Sequence, residues 1–124
     1  MPLLIDVTQR TLDGARSATV IRLVGVLDGS VALQAQAAIA QATATKPKTV
    51  VLDLEKLDFI DSSGISVVLL AKIECAKIGA ELLVTNMQRS IHRVFATVRV
   101  LPSVSVFESM ADLDAYLARV QEED

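Results

Sequence analysis

The segment from residue 49 to residue 86 restricts the fold of this chain more than any other part. TVVLDL (49–54) and ELLVTN (81–86) are aliphatic runs with the length of buried strands. The residues that recur at helical spacing between them are Ile65, Val68, Leu69, Ile73 and Ala76. They predict a helix from about Ser63 to Ile78, with Gly79 as its left-handed C-terminal cap. Two such strands joined by a helix form a parallel β-α-β unit.

The sequence before this unit predicts a hairpin and a first helix. LLIDV (3–7) and ATVIRLVGVL (18–27) read as strands, and the Asp-Gly between them favours an antiparallel turn. Alanine and glutamine dominate residues 30–45, which predicts a helix that begins at an N-cap serine, Ser30, and stops at Pro47. Its expected inner face consists of Leu33, Ala37 and Ala40.

The sequence after the unit continues the alternation of helices and strands. EKLD (55–58) is interpreted as a connection, residues 88–98 as a helix, VSVF (104–107) as a strand and residues 109–120 as a closing helix. The inner positions of the last two helices are Ile91, Val94, Phe95 and Val98, and then Met110, Leu113, Leu117 and Val120. We therefore predict one α/β domain over residues 1–124, with a mixed, mostly parallel sheet, an antiparallel N-terminal hairpin and about four helices.

Composition argues against several classes of function. The net charge is −3, so the chain has no basic surface for nucleic acid or anionic lipid. A single cysteine, Cys75, and a single histidine, His92, give no metal-ligand pattern, and we expect Cys75 to be a small buried apolar residue. No cofactor, signal peptide or membrane span is expected, and the cytoplasm is the predicted compartment.

One short stretch, FIDSSGIS (59–66), interrupts the aliphatic pattern with small polar residues at the end of a predicted strand. Asp and Ser commonly cap helix N-termini and Gly relieves a tight turn, so the stretch is explained by structure alone. A helix N-terminus also stabilises negative charge, so a serine phosphorylated here would be favourably placed. Binding of a free anion is less favoured, because the stretch lacks the glycine and lysine content of a phosphate-binding loop. Parallel sheets place binding sites at such strand ends, so a structural and a functional role both remain open.

Hydrolysis by a serine nucleophile has little support in the sequence. Any Ser-His-Asp triad would need His92, which is expected to be a surface or partly buried structural residue on a helix. DSSG also differs from the G-x-S-x-G nucleophile elbow. The chain is therefore not expected to be an enzyme.

The order of elements and the motif together resemble the STAS domain, specifically the bacterial anti-sigma factor antagonists. The resemblance rests on VVLDLEKLDFIDSSGISVVLLAKIECAKIGAELLV (50–84), is extended by IHRVF (91–95), and covers essentially the whole chain. It implies a partner switch: the unphosphorylated antagonist binds an anti-sigma factor that is also a serine-threonine kinase. Phosphorylation of the antagonist prevents binding, and a metal-dependent serine phosphatase restores it.

The resemblance also assigns residues. The phosphorylated serine of the family directly follows the aspartate and corresponds to Ser62, whereas Ser63 helps to begin the helix. With Asp28, Asp61 and Gly64, these serines form the implied partner-binding surface.

Two departures from the family pattern concern the partner rather than the fold. The family's G-E-L-D motif reads Gly25-Val26-Leu27-Asp28 here, and its T-G-L reads Thr97-Val98-Arg99. Because the glutamate is lost, a second interpretation stays open: a constitutive STAS scaffold or sensory interaction module in a larger signalling assembly. The sequence leaves the oligomeric state undetermined.

Overall fold

The computed structural model describes residues 3–11, 17–97 and 105–107. Over these ranges the chain forms six strands and three helices. The strands are β1 (Leu4–Thr11), β2 (Ser17–Leu27), β3 (Thr49–Asp53), β4 (Leu57–Ile60), β5 (Glu81–Thr85) and β6 (Ser105–Phe107). The helices are α1 (Ala32–Ala44), α2 (Ser62–Lys77) and α3 (Arg89–Thr97).

The sheet confirms the predicted mixed α/β architecture. Its order is β1-β2-β3-β5-β6, and among the strands of the described ranges only the β1–β2 pair is antiparallel. The short strand β4 lies outside this order and pairs in parallel with the C-terminal end of β2. Helical crossovers connect the parallel strands, as their geometry requires.

The main core lies between the sheet and helices α1 and α2. Val50 and Leu52 of β3 share one face of the sheet with Leu82 and Val84 of β5, since these residues are paired in register. Fully burying an aliphatic side chain of this size contributes about 1.5–3 kcal/mol. Helices α1 and α2 contribute Ala35, Ile39, Ala42, Ile65, Val67, Val68, Ala71 and Cys75 to the core cluster, which also includes Ile91 and Phe95 of α3.

The position of α1 differs from the prediction at its start and in its orientation. The helix begins at Ala32, so Ser30 is not its N-cap, and Val31 at the cap position makes no side-chain cap. The predicted inner residues Leu33, Ala37 and Ala40 are exposed, Leu33 to 79%. The buried residues are Ala35, Ile39, Ala42 and Thr43. In an alanine-rich helix several faces have similar hydrophobicity, so periodicity does not decide which face is buried.

The prediction for α2 is partly confirmed. Gly79 has the left-handed conformation of a C-terminal cap, with φ 72°, and the Ala80 N–H donates to the Cys75 carbonyl at 2.8 Å. The helix begins at Ser62, one residue earlier than expected. Ile65 and Val68 are buried as predicted. Leu69, Ile73 and Ala76 are exposed, which contradicts the prediction that they belong to the core.

The interpretation of EKLD as a simple connection was wrong, because Leu57 and Asp58 begin β4. Four-residue strands with a charged residue inside carry little periodic signal.

The inner residues Ile91 and Phe95 of α3 are buried as predicted, and Val94 is half-buried. Val98 and the closing helix predicted at 109–120 lie outside the described residues. In the described ranges, no helix has the length and hydropathy needed to cross a membrane.

Candidate functional site

Two strand ends bring the predicted site residues together. Leu27 of β2 and Ile60 of β4 are partners in a parallel register, so Asp28 and Asp61 leave the sheet side by side. The Asp61 N–H donates to the Leu27 carbonyl at 3.3 Å, which links the two loops directly. This edge is where parallel sheets commonly place binding sites.

Asp61 is the N-cap of α2. It has an extended backbone, and its Oδ1 accepts a hydrogen bond from the Gly64 N–H at 3.0 Å. Its carbonyl accepts from the Ile65 N–H at 2.9 Å, which begins the helical hydrogen-bond pattern. The structural interpretation of the DSSG stretch is therefore correct for Asp61. A cap of this kind contributes about 0.5–2 kcal/mol to stability.

Ser62 occupies the first helical position with an exposed side chain. Among the described residues, its hydroxyl has no hydrogen-bond partner, whereas its carbonyl accepts a bond from Ser66 Oγ at 3.1 Å. The first turn of a helix carries partial positive charge and stabilises an anion by about 0.3–1 kcal/mol at an exposed site. Ser62 thus combines accessibility with a position that favours a phosphate.

Ser63 and Gly64 face the protein instead. Ser63 is half-buried, and a Cβ placed on Gly29 would lie 3.4 Å from its Oγ, so the loop after β2 runs close beside it. Gly64 is buried, and a Cβ there would lie 2.5 Å from both the Leu27 carbonyl oxygen and Ile60 Cγ1. Gly64 therefore allows α2 to approach β2 and β4 closely, which fixes the position of Ser62.

Asp28 holds the other loop in a tight turn. Its Oδ1 accepts hydrogen bonds from Ser30 Oγ at 2.6 Å and from the Ser30 N–H at 3.0 Å. The Ser30 hydroxyl is the main reason why the pKa of Asp28 lies below its ordinary value, and the Ser30 N–H also lowers it. Asp28 is consequently a carboxylate at neutral pH. It adds negative charge to the edge from which Asp61 emerges.

An exposed row on α2 continues from the site and was missed by the sequence analysis. Ser62, Ser66, Leu69 and Ile73 follow one another at spacings of four, three and four residues, and all four are exposed. We call this row the α2 stripe. Leu69 is 37% exposed and Ile73 51%. Periodicity could not identify the stripe, because aliphatic residues occur on more faces of this helix than one sheet can bury.

The Gly25-Val26-Leu27-Asp28 motif has a structural role next to the site. Gly25 has a φ of 110°, and its N–H donates to the Lys56 carbonyl at 3.0 Å where the β2–β4 register shifts. Val26, which replaces the family glutamate, pairs with Phe59, a residue that is 51% exposed. An apolar pair therefore occupies this position.

The single histidine and the single cysteine lie on helices α3 and α2. His92 is exposed on α3, as expected for a structural surface histidine. Cys75 is buried among core residues, and burial raises the pKa of its thiol to about 11, with a smaller contribution from Glu74. Cys75 is therefore a packed apolar residue, as predicted.

Comparison with known proteins agrees with this geometry. The model of the STAS domain family matches residues 8–113. A protein assigned as an anti-sigma factor antagonist, BtrV of Bordetella bronchiseptica, is 32% identical over 85 residues, which cover 68% of this chain and 73% of BtrV. The chain therefore belongs to the STAS domain family, and within it is homologous to the anti-sigma factor antagonists.

Solved structures show the same fold. An anti-sigma factor antagonist from Mycobacterium paratuberculosis has a TM-score of 0.75 at 19% identity, covering 94% of this chain and 95% of that one. The anti-sigma factor antagonist SpoIIAA in its unphosphorylated form has a TM-score of 0.64 at 24% identity, covering 94% and 98%. The phosphorylated form of SpoIIAA from Bacillus has a TM-score of 0.63 at 25% identity, covering 90% and 99%.

Proposed function

We propose that this protein is a non-enzymatic antagonist of an anti-sigma factor and that phosphorylation of Ser62 controls its binding. The unphosphorylated protein binds an anti-sigma factor that is also a serine-threonine kinase, and phosphorylation releases it. A metal-dependent serine phosphatase reverses the modification. The observation that carries the proposal is the exposed hydroxyl of Ser62, which has no hydrogen-bond partner among the described residues and lies at the first position of α2, beside the loop of Asp28.

The switch needs only local electrostatics. A phosphate on Ser62 adds about 1.5–2 negative charges at neutral pH to an edge that already carries Asp28 and Asp61. The partial charge of the helix N-terminus tolerates the phosphate, so the antagonist stays folded. A partner with an acidic surface at this point is repelled by the phosphate. A partner with an apolar surface would remove water from the phosphate without offering a compensating interaction.

The α2 stripe extends the proposed contact surface away from Ser62. Leu69 and Ile73 supply apolar area that a partner can bury, while Asp28, Asp61 and Ser63 surround the modified serine. Because Ser62 belongs to this stripe, a partner that covers the stripe would also bury a phosphate on Ser62. An unpaired charge in a buried interface is costly. Gly64 contributes by positioning the helix and not by contact.

Phosphorylation assays on matched serine variants test the proposal. The protein is incubated with ATP and each kinase-fold anti-sigma factor encoded in its source genome, and modified residues are mapped by mass spectrometry. We expect one phosphate on Ser62, no modification of Ser62→Ala, and unchanged modification of Ser66→Ala, one turn further along α2. Phosphate on Ser63 or Ser66 instead of Ser62, or on none of them, would contradict the proposal.

A constitutive scaffold or sensory module is the second candidate, and the replacement of the family glutamate by Val26 favours it. The apolar pair Val26 and Phe59 suits an interface that is not exchanged. In that case the protein would copurify in a stable large complex, and Ser62→Ala and Ser62→Asp would leave the complex unchanged. Loss of the complex in Ser62→Asp alone would favour the switch.

A further inference from the structure

Strand β1 forms an edge of the sheet. It pairs with β2 on one side, and no described strand pairs with its other side. The strand is eight residues long, and two of its apolar side chains are open to solvent: Leu4 is 62% exposed and Val7 45%. An edge strand of this length presents unpaired N–H and C=O groups, which favour pairing with another strand.

A groove of about 580 Å³ accompanies this edge on the side of α1. Its lining includes Ile5, Val7 and Gln9 from β1 and Ala37, Gln41 and Thr45 from α1. The helical lining consists of alanine, glutamine and threonine side chains, so a strand that enters the groove beside β1 meets no charged group of α1. The groove and the unpaired edge are therefore two parts of one surface.

The charges of β1 are complementary to themselves. In the pleat, Asp6, Thr8 and Arg10 share the face opposite the groove, and all three are exposed. When two identical strands pair antiparallel about a two-fold axis, one residue must lie opposite its own copy. If Thr8 lies opposite its own copy, Asp6 of each copy lies opposite Arg10 of the other, which gives two pairs of opposite charge. If Asp6 lies opposite its own copy instead, two carboxylates face each other.

We propose that two copies of this chain pair through β1, antiparallel and centred on Thr8, to form one continuous sheet. The register pairs residues 5–11 of one copy with residues 11–5 of the other, which uses nearly all of β1. Val7 of each copy lies opposite Gln9 of the other, and these side chains occupy the shared groove between the two α1 helices. This dimer does not depend on the proposed phosphorylation of Ser62, and it carries two copies of that site.

Charge exchange tests the interface. The oligomeric mass of the full chain is measured by sedimentation equilibrium over a concentration series, with circular dichroism to verify the fold. We expect twice the 13.3 kDa chain mass for the wild type, the monomer mass for Asp6→Arg and for Arg10→Asp, and recovery of the dimer when both changes are combined. A wild type that is monomeric throughout, or a dimer that is insensitive to both single changes, would overturn the proposal.

Disulfide trapping tests the register independently. Opposed residues of antiparallel strands have Cα atoms about 4.5–5.5 Å apart, within disulfide range, so Thr8→Cys should cross-link to its own copy under mild oxidation. Asp6→Cys is the matched control, since its two copies are separated by four residue steps, or roughly 13 Å. The native Cys75 is buried and does not compete. If Asp6→Cys cross-links, or if neither variant does, the register in which Thr8 lies opposite its own copy is refuted. If β1 instead accepts a strand of another protein, Thr8→Cys stays monomeric when pure.

Discussion

The loops that follow β2 and β4 leave the sheet side by side and use similar residues in different ways. After β2, Asp28 binds the hydroxyl and the N–H of Ser30, and α1 begins without a side-chain cap. After β4, Asp61 caps α2 through the Gly64 N–H and leaves the Ser62 hydroxyl unpartnered among the described residues. Each loop has an aspartate and a serine, but only the second presents its serine at the first position of a helix. This difference explains why Ser62, and not Ser30, is the proposed site of phosphorylation.

The largest effect on stability is expected at Gly64, in the first turn of α2. Gly64→Ala places a Cβ 2.5 Å from the Leu27 carbonyl oxygen and from Ile60 Cγ1, so α2 must shift. We expect the free energy of unfolding to fall by about 1–3 kcal/mol, as for other overpacked sites, measured by urea denaturation. Gly29→Ala is the control, because its Cβ would lie at an ordinary 3.4 Å from Ser63 Oγ. Equal losses in the two variants would show that the packing around Gly64 is no tighter than the packing around Gly29.

Removal of the α2 cap should have the next largest effect. Asp61→Ala leaves the Gly64 N–H without its acceptor, and we expect a loss of about 0.5–2 kcal/mol in the same urea experiment. Asp61→Asn keeps an acceptor oxygen and should retain most of the stability. If Asp61→Asn loses as much as Asp61→Ala, the charge of Asp61 matters more than its capping bond.

The smallest effect is expected in the pH dependence of the loop after β2. The pKa of Asp28 is lowered in the folded protein, so the contribution of its carboxylate to stability is present above its ordinary pKa of 3.8 and is lost as the pH falls through the folded value. An NMR titration should therefore place the midpoint of Asp28 below 3.8, and Ser30→Ala should raise it. A midpoint that does not respond to Ser30→Ala would show that the Ser30 hydroxyl does not lower the pKa.

The alternation of strands and helices could be predicted from the sequence, because residues 49–54 and 81–86 are unbroken aliphatic runs. The capping role of DSSG also followed from residue type, and Asp61 fulfils it. Strand β4 could not be predicted in the same way. It is four residues long, and its pairing with β2 depends on a register shift at Gly25, a contact between distant parts of the chain.

The orientations of the two helices were harder to predict than their existence. α2 has aliphatic residues on several faces, so periodicity could not separate the buried Val67 and Ala71 from the exposed Leu69 and Ile73. The α2 stripe emerged only when the sheet fixed which face is buried. The choice between Ser62 and Ser63 came from the family resemblance, and the structure adds that Ser62 is exposed whereas Ser63 is half-buried.

The most direct test of the difference between the two loops is the affinity of the anti-sigma factor for two matched variants, measured by calorimetry. Ser62→Asp adds a negative charge to the loop after β4, and Ser30→Asp adds the same charge to the loop after β2. We expect Ser62→Asp to weaken binding by at least about tenfold, or about 1.4 kcal/mol, and Ser30→Asp to change it much less. Tight binding by Ser62→Asp, or an equal loss in both variants, would contradict the proposed switch.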